Sequence, residues 1–144
     1  MHAYVPATAH CWRIFGEVQA DEMQRFGYPA AHRLVVDAYM ASHPGDGTDH
    51  RDRQSVAVHL VSLCGVLERG WTPAAALLAL RRFVSKETEF PLLAPPTAPP
   101  ELTVRSMVAS ADAADYDRRA HLWAWSVWRA WGAEHVRIRS YVGG

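Results

Sequence analysis

Seven side chains able to move protons, ligate a metal or orient a substrate lie within one stretch of the chain, HRLVVDAYMASHPGDGTDHRDRQSVAVHL. They are His32, Asp37, Tyr39, His43, Gln54, Ser55 and His59, and much of their surroundings is Leu, Val, Ala and Met. Burying a polar group without a partner costs roughly 1–3 kcal/mol, and an unpaired charge costs more. These groups therefore need one another, a metal or a ligand. In the first case the histidines satisfy each other, Tyr39 or backbone carbonyls, and the cluster is structural. In the second, neutral imidazoles of His32, His43 and His59 join the Asp37 carboxylate around one divalent ion, and this nitrogen and oxygen set suits zinc, iron or manganese. No HExxH, ExxH or paired CxxC spacing fixes such a site. In the third, Asp37 orients a histidine for metal-free acid–base work, with Tyr39 or a second histidine giving the proton.

Helical phase divides the candidates. His32 and Tyr39 are two turns apart and share a face, whereas Asp37 lies about 140° from His32 at 100° per residue. Ser55, His59 and Ser62 form a polar ladder at four- and three-residue steps on an otherwise apolar cylinder. Gln54 flanks that ladder, and His43 sits at a helix end.

The elements that hold these residues follow from periodicity and punctuation. A first helix is expected over residues 8–26, with Thr8 as cap, Trp12, Ile14, Phe15, Val18, Glu22 and Phe26 on one stripe, and Gly27 as its end. Pro29 suits the first turn of a second helix running to Ser42, which His43-Pro44-Gly45 stops. Residues 44–52 form an exposed charged loop. It lacks the glycine and terminal glutamate of a calcium loop, so calcium is rejected. A third helix over 52–69, begun near Asp52, is apolar on nearly all sides and should be the central one. Thr72-Pro73 caps a fourth helix through Lys86, with Leu77, Leu80 and Val84 pointing inward.

Residues 90–100, FPLLAPPTAPP, cannot be regular helix, because each proline removes a donor and clashes with the preceding turn. They read as an extended strap along the bundle. Thr103 caps a short turn, and a long helix is expected over 111–138. Its tryptophans fall on two stripes, Ala124, Trp128, Trp131, His135 and Ile138 beside Tyr116, Ala120, Trp123, Val127 and Ala130, which is core spacing. Trp125 falls off both and, with His121, could line a pocket or a dimer surface. No strand-like alternation persists. The expectation is an all-α single domain spanning residues 1–144: a compact bundle of about five helices with a proline-rich strap before the last.

With Lys plus Arg equal to Asp plus Glu, the chain has no basic excess for nucleic acid. It shows neither a secretory leader nor an apolar run of the roughly 18 residues a membrane span needs. A cytoplasmic location and reduced thiols at Cys11 and Cys64 are expected. Cys64 reads as packing, and Cys11, at the start of the first helix, as a small buried residue or a reactive thiol.

The runs HRLVVDAYMASHP, RDRQSVAVHLVSLCGVLERG and CWRIFGEV, with LTVRSMVAS and the tryptophan-rich end, resemble a bacterial family of small proteins, domain of unknown function 5946. The resemblance picks out Cys11, Trp12, His32, Asp37, Tyr39, His43, Pro44, Gln54, Ser55 and His59, and it implies no established activity. Members often begin with a cysteine pair like half a zinc knuckle, which MHAYVPATAH does not contain. The leading expectation is a small-molecule enzyme with one polar pocket between the second and third helices. His32, Asp37, Tyr39 and His59 would be catalytic, Gln54, Ser55 and Trp125 would contact substrate, and one divalent metal on His32, Asp37, His43 and His59 would activate water or polarise a substrate oxygen. The alternative is a non-catalytic binding module whose polar interior is structural and whose Trp-rich helix docks a partner, in a chain that could form a homodimer.

Overall fold

The structure is a computed structural model and describes residues 8–87 and 89–143. Helix α1, Thr8–Phe26, turns Ile14, Phe15, Val18 and Glu22 inward and leaves Trp12 59% exposed. The side chain of Thr8, the expected cap, lies outside the described residues. Gly27 and Tyr28, both at positive φ, reverse the chain after α1. Helix α2 therefore begins at His32 and not at Pro29: residues 29–31 form a turn in which the His32 N–H donates to the Pro29 carbonyl at 2.9 Å. It ends at Ser42.

Helix α3, His50–Arg69, starts two residues before its expected boundary, because Asp49 caps it by accepting from the Arg51 N–H at 2.8 Å. Gly70, at φ +68°, ends it in the left-handed conformation that glycine adopts freely. Its apolar circumference is used as expected: α3 packs against α2 and three later helices. Helix α4, Pro73–Lys86, is capped by Thr72, which accepts from the Ala75 N–H at 3.1 Å. Ala76, Leu80 and Phe83 form its buried face, whereas Leu77 is 43% exposed. The inward orientation expected of Leu77 fails because it lies one residue, about 100°, off that face.

The strap follows without helix, pinned by buried Phe90 and Leu93 and by the Ala94 N–H, which donates to Glu134 Oε2 at 2.7 Å. Thr103 caps a 3₁₀ turn, Val104–Met107. The single long helix expected over 111–138 is two. Helix α5, Ala113–Ala130, gives way to a 3₁₀ turn at Gly132–Glu134, and α6 covers His135–Val142. Two contacts make the break. The Trp131 indole N–H donates to the Ala41 carbonyl at 3.0 Å, and the His135 imidazole, stacked on Trp128 at 3.8 Å, takes the Trp128 carbonyl at 2.7 Å. That carbonyl also accepts from the Trp131 N–H at 3.1 Å, a tighter three-residue bond that closes the end of α5. The bundle thus has six α-helices among the described residues and no strand. Trp123, Trp128 and Trp131 are fully buried in its core, and no described helix is long and apolar enough to cross a membrane.

Candidate functional site

The two short-range faces of α2 carry different chemistry. Toward α3 points Asp37, 1% exposed. Its Oδ1 accepts from His59 Nδ1 at 2.8 Å, and its Oδ2 accepts a short bond from the Ser62 hydroxyl. The Ser62 oxygen in turn accepts from Arg33 Nε at 3.1 Å, which leaves that guanidinium nitrogen 4.0 Å from Oδ2. A buried carboxylate is tolerable only when paired and hydrogen-bonded, and here one hydroxyl, one imidazole and one nearby cation supply that. The spacing that makes it is helical: Arg33 lies four residues before Asp37, and Ser62 three after His59.

The order of groups decides what the cluster can do. Asp37 stands between Ser62 and His59, so the serine proton goes to the carboxylate and not to the imidazole; Ser62 is not an activated nucleophile. A carboxylate can only accept, so His59 carries a proton on Nδ1, and Nε2 is the nitrogen left to exchange one with a ligand. That nitrogen has no hydrogen-bond partner among the described residues, and the side chain is 18% exposed. Beside the cluster, Arg33, Val58, Leu77, Leu80, Arg81 and Val84 line a shallow depression of about 360 Å³ between α2, α3 and α4.

Toward α1 points a second carboxylate–imidazole pair. His32 Nδ1 lies 2.5 Å from Oε2 of Glu22, a carboxylate 1% exposed, whose Oε1 accepts from the Tyr116 hydroxyl at 2.7 Å. Burial, and then the bond to Glu22 and its charge, push the Tyr116 hydroxyl well above its ordinary pKa. Further along the same face Tyr39 stacks on Phe15 at 4.0 Å, with the His43 ring 4.3 Å away. The Tyr39 hydroxyl has no partner among the described residues, and burial followed by the neighbouring Cys11 raises its pKa. His43 donates from Nδ1 to the Tyr39 carbonyl at 2.9 Å, while burial lowers its pKa.

The residues expected to share one pocket are thus distributed. Asp37 and His59 meet between α2 and α3. His32 pairs with Glu22, and Tyr39 and His43 lie together against the start of α1. Gln54 and Ser55 are half-buried on α3 without side-chain hydrogen bonds among the described residues, and Trp125 is half-buried on α5 against the core. Among the described residues no group of three or more His, Cys, Asp or Glu side chains is assembled to hold a metal ion. Both cysteines are free, and burial with the adjacent Glu68 carboxylate pushes the Cys64 thiol up to about 11, so it packs as a neutral group. Sequence reasoning missed Glu22 and Arg33, and saw Ser62 only as a rung of the polar ladder. A carboxylate on the apolar stripe of the first helix was the available signal for Glu22.

A model of a family of unknown function, DUF5946, matches residues 2–132, and the chain belongs to that family. No curated protein matches the chain. No solved structure matches it.

Proposed function

Starting from membership of a family without an assigned activity, we propose that the chain is a small-molecule enzyme in which His59 is the general base and Asp37 its orienting partner. The observation that carries this reading is the buried Asp37 carboxylate, which accepts from Ser62 and from His59 Nδ1 and leaves Nε2 without a partner among the described residues. A carboxylate on Nδ1 fixes the tautomer and stabilises the imidazolium formed when Nε2 takes a proton. Arg33 supports the substrate side. Its Nε is held at Ser62, its terminal nitrogens have no partner among the described residues, and it borders the depression with Arg81 over an apolar floor. That arrangement suits a small substrate with an apolar body and one anionic group, held by the arginines. The substrate extends past Val58 to His59, which lies next in sequence but outside the depression's walls, and there His59 deprotonates water or a substrate hydroxyl.

The test uses 4-nitrophenyl monoesters of short dicarboxylic acids, which combine an apolar body with one carboxylate. Turnover by the untagged protein should fall about 10²–10⁴-fold in His59→Ala, the range that a positioned acid–base group supplies. Arg33→Gln should raise KM with a smaller effect on kcat. Equal rates for the wild-type protein and His59→Ala would sink the reading.

A further inference from the structure

Helices α4 and α6 both pack on α3, and a cleft of about 640 Å³ lies between them. It shares no residue with the Arg33–Arg81 depression, which occupies the other side of α4. Val61 of α3 and Phe83 of α4 are buried at its base, and the Phe83 ring meets that of Tyr141 on α6 at 5.2 Å. Trp71 and Leu78 extend the apolar wall, and Leu78 is left 55% exposed. Trp71 is fixed from behind. Gly65 lets its Cε3–Cζ3 edge lie against the α3 backbone, where a Cβ would come within 1.9 Å of Cε3. The opposite edge of the indole carries the N–H, which therefore points away from α3.

The polar groups of this cleft are mostly donors without acceptors. The Trp71 N–H, the Arg82 guanidinium, the Lys86 ammonium and the Tyr141 hydroxyl make no hydrogen bond or ion pair among the described residues. None of these atoms is sealed from water. Burial, and then the Glu87 charge, raise the Tyr141 pKa, so that hydroxyl keeps its proton. Ser140 is committed elsewhere, its hydroxyl donating to the Arg137 carbonyl at 2.5 Å. Among the described residues Glu87 is the one carboxylate on the lining.

We propose that this cleft binds a monoanionic ligand with a flat, two-ring aromatic body, its carboxylate met by Arg82 and Lys86 and its rings laid among Trp71, Phe83 and Tyr141. Size sets the body. The volume falls within the roughly 300–1,000 Å³ of ligand pockets and well above the roughly 150 Å³ that admits one benzene. The walls set its shape, because aromatic rings gain more from one another than their buried area alone. Charge sets the polar end. Arg82 and Lys86 stand one turn apart on the same face of α4, so a single carboxylate can take a charge-assisted bond from each. Two cations less the Glu87 carboxylate leave one positive charge, which one carboxylate neutralises.

2-Naphthoate is the probe, with 2-naphthylmethanol and 2-naphthylmethylammonium as neutral and cationic controls of the same body. Calorimetry at pH 7 reads the affinity, and the indole N–H resonances of the ¹⁵N-labelled protein read the place. 2-Naphthoate should move saturably the resonance that Trp71→Phe removes, and should bind about tenfold more tightly than the alcohol, with the ammonium weakest. Each exposed ion pair supplies up to about fivefold in affinity, so the double variant Arg82→Gln, Lys86→Gln should weaken 2-naphthoate about tenfold and leave the alcohol unchanged. Both side chains are exposed, so that variant keeps the fold and carries the test even where Trp71→Phe does not fold. Arg33→Gln should leave the affinity unchanged; a loss there would put the ligand in the other depression and overturn the assignment. An alcohol that binds as tightly as 2-naphthoate, binding indifferent to the double variant, or no saturable binding at all would each overturn it too.

Discussion

At the scale of single residues, Asp37 is the fulcrum of the α2–α3 contact. Its stability rests on donors from the other helix, so removing one donor should cost more than the loss of an exposed hydrogen bond. His59→Ala is expected to lower the unfolding free energy by about 1–3 kcal/mol, and Ser62→Ala by a similar amount, in chemical denaturation at neutral pH. A midpoint unmoved in both variants would mean that water already satisfies the carboxylate. Asp37 and His59 were legible in sequence as polar residues in apolar helices, and the angle of about 140° put Asp37 on a different side of α2 from His32, although both were still expected in one pocket. Their partners were not. Arg33 reads as an ordinary exposed arginine until α3 is placed four residues' reach away. Glu22 becomes a buried anion only once α2 brings His32, and α5 brings Tyr116, to its two oxygens.

At the scale of elements, helix ends were legible at Thr72, Thr103 and Gly27, but not at Asp49, whose cap starts α3 two residues early. The break between α5 and α6 was not, because it is made by long-range contacts: Trp131 reaches α2, and His135 folds back on Trp128. What joins these pieces is Glu68, in the last turn of α3. It accepts from Trp128 Nε1 of α5 at 2.9 Å and from Arg139 Nε and Nη2 of α6 at 2.8 and 2.7 Å. The Arg139 hydrogen bonds above all hold its carboxyl down to about 2, against an ordinary 4.5. A carboxylate with a depressed folded pKa stabilises the fold fully above its unfolded value, and that contribution disappears as pH falls from 4.5 toward 2. Because Glu68 is 20% and Arg139 45% exposed, solvent screening holds the contribution to about 1 kcal/mol or less. Glu68→Gln should therefore be less stable than the wild-type protein at pH 7, and the difference should shrink through that acid window in denaturation curves. A constant difference from pH 7 to pH 2 would refute the assignment.

At the scale of the whole molecule, the all-helical class and the non-helical strap were legible because they rest on local chemistry: apolar periodicity, and prolines that cannot donate. The division of the polar residues between two flanks of α2 was not, since it depends on where α1 settles. That helix is attached differently from the others. Whereas α3 lies against four helices, α1 meets the rest mainly at the 3₁₀ turn and through individual side chains: Phe15 on Tyr39, Glu22 on His32 and Tyr116, and Arg25 on the Ser110 and Ala111 carbonyls. Opening free energies follow such differences in packing. Native-state hydrogen exchange should find the α1 amides opening at a fraction of the global unfolding free energy while α3 exchanges only with global unfolding; uniform protection would show that the two open as one unit. Cys11 sits partly buried on α1. Whenever α1 detaches, its thiol and the Phe15–Tyr39 stack reach solvent together, so this lightly held helix carries its own chemical reporter of opening.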